Sequence, residues 1–192
     1  VSAVMALILG ICAATLGKKV DSAISFAIDT VMGIPHILLL ILISYAMGKG
    51  LKGVIAGVAL THWTSLARLI RGEVMQLRES EYIQIAGKLG LGKWEIAKKH
   101  IVPHVLPQFI VGLVLLFPHA ILHESSITFL GFGLSTEQPA IGVILSESMR
   151  YLIMGKWWLA VFPGMMLVLT VVLFEKGGTA LRQLLDPGSV HK

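Results

Sequence analysis

Five long apolar runs limit what this chain can become more than any other feature of it. They cover roughly residues 2–17, 24–47, 51–69, 106–122 and 157–174. A bilayer core about 30 Å thick is crossed by about 20 mostly apolar residues in a helix, so most of these runs are of crossing length. They are apolar all round rather than striped, as in helices that face lipid or a packed bundle. Only 14% of the residues are charged, against about 25% in a soluble domain. The expected fold is all-α: one polytopic membrane domain over residues 1–192, with about five transmembrane helices. The second run is interrupted by Asp29, Gly33 and Pro35. Proline removes a backbone donor and kinks a span there. Asp29 either lines a route through the bundle or caps the helix after the kink.

Charge placement orients the runs. If the first passes from outside to inside, twelve of the sixteen Lys and Arg residues fall on the inner side. Basic residues gather on the cytoplasmic side of membrane proteins. The net charge of +5 thus reflects membrane orientation, and no nucleic-acid partner is expected. The C-terminus is expected in the cytoplasm. Trp157 and Trp158 stand at the outer start of the last run, where indoles anchor at the interface. The single cysteine, Cys12, permits no internal disulfide and reads as a small packing residue. The chain opens inside an apolar run, without an initial Met or a basic leader. It reads as an N-terminally truncated piece, and one missing upstream helix brings the true N-terminus inside.

Two connections are too long for simple turns. The inner one, about residues 72–105, is amphipathic. Leu77, Tyr82, Ile85, Leu89 and Leu91 recur near helical spacing, with Glu79, Glu81, Gln84 and Lys88 between them. Gly90 and Gly92 then break the pattern, which predicts two short helices and a turn. Such an element either lies on lipid headgroups or docks on a cytosolic partner. The outer connection, about residues 129–156, carries Gly131, Gly133, Pro139 and Gly142. It is expected to be a structured or partly re-entrant loop.

The inner loop carries a family resemblance. Gln84-Ile85-Ala86, three residues, Gly90, nine residues, then His100-Ile101-Val102-Pro103 resembles the cytoplasmic loop of ABC-importer permeases. That pattern reads Glu-Ala-Ala, three residues, Gly, nine residues, Ile-x-Leu-Pro. Ala86, Gly90 and Pro103 are retained, while Gln84, Ile85, His100 and Val102 depart from it. The preceding Glu81-Tyr82 and the His100-Ile101-x-Pro103 ending are similar to the dipeptide, oligopeptide and nickel branch. So are His62-Trp63 through Arg68 and Arg71, the segment Ser126 to Leu134, Phe162-Pro163-Gly164, and Leu181 to Pro187. At Phe174-Glu175-Lys176 the charges arrive earlier than the family pattern has them.

The resemblance implies a permease with six membrane helices in the full family, dimerised with a second homologous permease subunit and served by an extracytoplasmic substrate-binding protein. It also implies a coupling helix that sits in a cleft of the ATPase subunits. Glu81, Tyr82, Ala86, Gly87, Gly90, His100 and Pro103 then belong to the coupling loop. No Gly-x4-Gly-Lys-Ser/Thr sequence is present, so ATP and magnesium are expected on the partner subunit, with no cofactor and no enzymatic activity in this chain.

Seven histidines raise the question of cargo. His119 and His123, four apart in an apolar run, share one helix face. Imidazoles so placed can chelate nickel, copper or zinc. Glu124 follows directly, and His62 lies in another run. Ionisable groups within spans usually serve a route through the membrane; the alternative is a hydrogen bond between helices. His-x3-His at this place and the earlier His-Trp are similar to nickel-type permeases, so nickel and di- or oligopeptides both stand as substrates. His100 and His104 flank Pro103 in the inner loop and read as a polar loop end. A secondary transporter is the competing class, and it calls for inverted repeats that the chain does not display. A histidine-ligated membrane metalloenzyme is a further alternative, but its ligands would have to lie on one side of the membrane, and these pairs do not.

Overall fold

The computed structural model describes residues 1–185. Ten α-helices follow one another: α1 Ser2–Thr15, α2 Lys18–Gly33, α3 His36–Ala46, α4 Gly50–Thr61, α5 Trp63–Glu79, α6 Glu81–Lys88, α7 Lys93–Ile96, α8 Val102–Phe129, α9 Ile141–Leu152 and α10 Trp158–Leu185. A π-turn over Ala97–Ile101 joins α7 to α8. There is no strand among the described residues, and the all-α membrane fold read from the sequence is the fold observed.

Three stretches are long and apolar enough to cross a bilayer: Gly50–Glu79, Trp94–Phe129 and Trp158–Leu185. The broken pair α2 and α3 supplies up to one more, and the 14-residue α1 is a shorter apolar helix. The second run is therefore not one rod. Pro35, with φ of −53° and ψ of 119°, ends the helical path and stands as the N-cap of α3. Helices also outrun their apolar cores. α8 continues past Leu122 to Phe129, and α10 past Phe174 to Leu185. The early charges at Glu175 and Lys176 do not end α10, because Glu, Lys, Leu and Arg are all good helix formers. Asp186 and Pro187, part of the C-terminal resemblance, lie outside the described residues.

The described residues divide into two compact units, 1–33, 62–113 and 180–185 in the first and 34–61 with 114–179 in the second. In the first, α1 packs along α5 at very short range. A Cβ on Gly10 would stand 2.9 Å from the Ala67 carbonyl oxygen and 2.9 Å from Ile70. Small residues let membrane helices approach in this way, and Ala6, Ala13, Ala67 and Ile70 are buried there. Arg71 donates two hydrogen bonds to the carboxylate of Asp21, one of them at 2.8 Å. Arg68 pairs with Asp29, which ties α2 to α5. Arg78 donates to the Ala14 carbonyl at the end of α1.

In the second unit α3 and α4 meet just as closely. A Cβ on Gly53 would lie 2.7 Å from the Ser44 carbonyl oxygen. Leu40, Val54 and Ile127 form the core, flanked by Ile41, Val58 and Leu134. The outer connection is a bonded turn followed by α9. Ser44 Oγ donates to the Phe132 carbonyl at 2.7 Å, and the Gly50 amide donates to the Gly133 carbonyl at 3.0 Å. The Lys49 ammonium stands 5.0 Å from the centre of the Phe132 ring, a cation–π contact. Trp157 and Trp158 meet edge to face at the start of α10.

Candidate functional site

Two groups of residues stand out, one in each unit. The first is the connection between α5 and α8. The amphipathic pattern folds as read, into α6 and α7, although α5 runs on to Glu79 before the connection begins. Glu81 lies in the first turn of α6, where an acid complements the helix dipole. Gly90 ends this helix. Its φ is +92°, and its amide donates to the Gly87 carbonyl at 3.1 Å while Leu91 donates to Ala86 at 3.2 Å. This is a Schellman closure, which needs a residue free to adopt left-handed φ.

Ile83 and Ala86 are buried against their own unit. Ala86, read from the sequence as part of the coupling loop, is 7% exposed in the chain by itself. The outward face is Tyr82, Ile85 and Leu89, continued by Trp94. Leu89 is 77% exposed and Trp94 80%. Tyr82 and His100 meet edge to face with ring centres 6.1 Å apart, which ties α6 to the π-turn. His100, read from the sequence as a polar loop end, thus has a ring contact within this element. Pro103 directly follows the π-turn, in the first turn of α8, and brings no backbone N–H to a helix that runs on from Trp94.

The second group lies in unit two. The His36 and His123 rings are 4.4 Å apart, and the Thr61 hydroxyl lies 3.5 Å from His36 Nε2. His36 is thus the partner that the sequence reading missed. Its signal was present: an imidazole directly after a Pro-broken span, the kind of break around which transporters build sites. His119 is one turn before His123 on α8, and its side chain is exposed. His62 is the next residue after Thr61; it is buried and is the N-cap of α5. Two imidazoles at this range, with a hydroxyl beside them, offer ligand atoms to a borderline cation such as Ni²⁺, Cu²⁺ or Zn²⁺. They equally offer hydrogen bonds to a polar cargo.

Glu124 has a different surrounding. Thr128 Oγ1 donates to it at 2.8 Å and Ser125 Oγ at 3.3 Å, and Thr128 Oγ1 in turn accepts from the Leu134 amide at 3.0 Å. Its carboxylate thereby anchors the turn after α8.

An all-helical chain with several bilayer-length apolar helices and a short helical outcrop between two of them defines a multi-pass membrane component. Comparison with known proteins is more specific. The chain belongs to the family of binding-protein-dependent transport system inner membrane components, whose sequence profile matches residues 6–189. It is 32% identical, over 89% of its length, to the dipeptide transport system permease protein DppC of Bacillus subtilis (strain 168), of which it covers 53%. It is 36% identical to the dipeptide transport system permease protein DppC of Alkalihalophilus pseudofirmus, over 93% of this chain and 59% of that one. It is 31% identical to the nickel transport system permease protein NikC of Escherichia coli (strain K12), over 95% of this chain and 66% of that one. The chain thus spans between about half and two thirds of the length of these curated relatives.

Proposed function

We propose that the chain is the membrane-spanning subunit of an ATP-driven importer, forming part of a translocation path for nickel or for di- and oligopeptides. The observation that carries this reading is the helical outcrop α6–α7, which leaves Tyr82, Ile85, Leu89 and Trp94 uncovered. Apolar side chains in such a patch mark a docking surface. Family membership supports an ATPase as the partner. A motor that closes on nucleotide transmits its movement through this helix to α5 and α8, which leave its two ends. ATP and magnesium belong to that partner. A second permease subunit and an extracytoplasmic binding protein complete the assembly, and the C-terminus lies in the cytoplasm.

The His36–His123 pair favours nickel over peptide, because imidazoles are good ligands for this ion. Uptake of labelled nickel and of labelled dipeptides, in cells lacking only this subunit and complemented with variants, tests it. His36→Ala with His123→Ala is expected to lower nickel uptake at limiting nickel without changing assembly with the ATPase. Loss of dipeptide uptake with nickel uptake untouched assigns the peptide substrate and removes the metal role.

A further inference from the structure

The first unit holds a cavity of about 470 Å³ that the transport reading does not use. This is within the usual range of small-molecule sites, about 300–1,000 Å³. Glu73 of α5, Arg182 of α10, and His104 and Gln108 of α8 line it, over an apolar wall that includes Pro107 and Val111. Among the described residues neither Glu73 nor Arg182 takes part in an ion pair. An acid and a guanidinium that do not neutralise each other, facing one cavity, are complementary to a zwitterion. The carboxylate accepts hydrogen bonds from an ammonium. The guanidinium fork binds a phosphate or carboxylate with two parallel bonds.

Position narrows the class. The cavity opens where the apolar run of α8 begins, at the end of the helices where the basic residues gather, which is headgroup level. From there Leu106, Ile110 and Leu113, all exposed, recur at spacings of four and three along one face of α8. Leu106 follows Pro103 and Ile110 follows Pro107 by three positions, so this stripe adjoins one edge of the cavity, and acyl chains can cover it. We propose that this cavity binds the headgroup of a zwitterionic phospholipid with a primary amine, a phosphatidylethanolamine, its ammonium on Glu73, its phosphate on Arg182 and its chains along Leu106, Ile110 and Leu113. A trimethylammonium head lacks the N–H donors that Glu73 accepts, and a glycerol head lacks the cation.

The test uses the full-length permease in its membrane assembly, equilibrated with equal amounts of phosphatidylethanolamine, phosphatidylcholine and phosphatidylglycerol and weighed by native mass spectrometry. Retention of the ethanolamine lipid is expected to exceed that of either other lipid by about tenfold or more, the scale of one charge-assisted hydrogen bond. Glu73→Gln is expected to bring the three lipids towards parity and, separately, Arg182→Lys to lower the retention of all three, while the subunit composition stays the same. Equal retention of all three by the unaltered protein overturns the proposal, as does an ethanolamine-lipid excess that survives Glu73→Gln. Displacement of the retained lipid by millimolar free dipeptide, in the unaltered protein but not in Glu73→Gln, assigns the cavity to a soluble zwitterion and equally overturns the lipid.

Discussion

At the residue scale the fold rests on glycines placed where two backbones touch. Gly53 lies so close to Ser44 that a side chain there would meet backbone rather than a yielding side chain. Gly53→Val is expected to lower stability by about 1–3 kcal/mol, the usual cost of overpacking, read as a fall in the unfolding midpoint of the detergent-purified protein. Gly72, in α5 with nothing within 4 Å of a Cβ, is the control. Gly72→Ala is expected to be neutral or stabilising by up to about 1 kcal/mol, since alanine loses less backbone entropy in a helix. An equal loss in both variants contradicts the packing account. Gly90 is a different case, because its φ of +92° and not crowding is what requires glycine. Gly90→Ala is expected to strain the closure of α6 by about 1 kcal/mol and to speed protease cleavage between α6 and α7, with membrane insertion unchanged.

At the scale of elements, charge does work that its position in the sequence conceals. Arg68 and Arg71 count as inner-side charges in the topology argument, yet both are committed to α2 through Asp29 and Asp21. Those partners are 39 and 50 residues away, so no local pattern announces them. A double-mutant cycle with Asp21→Asn and Arg71→Gln is expected to give a coupling of about 1 kcal/mol, as for a part-exposed forked ion pair. Additive effects would leave the pair without a structural role. The elements themselves were largely legible. The apolar runs, the break at Pro35 and the α6–α7 connection follow from hydropathy, proline chemistry and helical spacing. The close approach of Gly10 to Ala67 was not, because a small residue in an apolar run looks the same whether it touches lipid or another backbone. For the same reason the sequence paired His119 with His123 on one helix face. The structure keeps both on α8 and adds His36, 87 positions away, against His123.

At the scale of the whole molecule, the account joins a lipid-embedded bundle to a cytoplasmic outcrop, and both orientation and partner can be tested. In a Cys12→Ala background, Lys156→Cys is expected to react with a membrane-impermeant maleimide in intact spheroplasts. Glu79→Cys is expected to react only after lysis. The reverse pattern inverts the topology and places α6 outside the cell, where no ATPase could reach it. The most direct measurement concerns the face of α6. A photo-reactive amino acid placed at Leu89, which is 77% exposed, in the full-length subunit within its native membrane, reports what this helix touches. The account predicts a crosslink to a nucleotide-hydrolysing subunit whose yield changes when a non-hydrolysable ATP analogue is added. A crosslink to lipid alone, with no protein adduct in any nucleotide state, would contradict it.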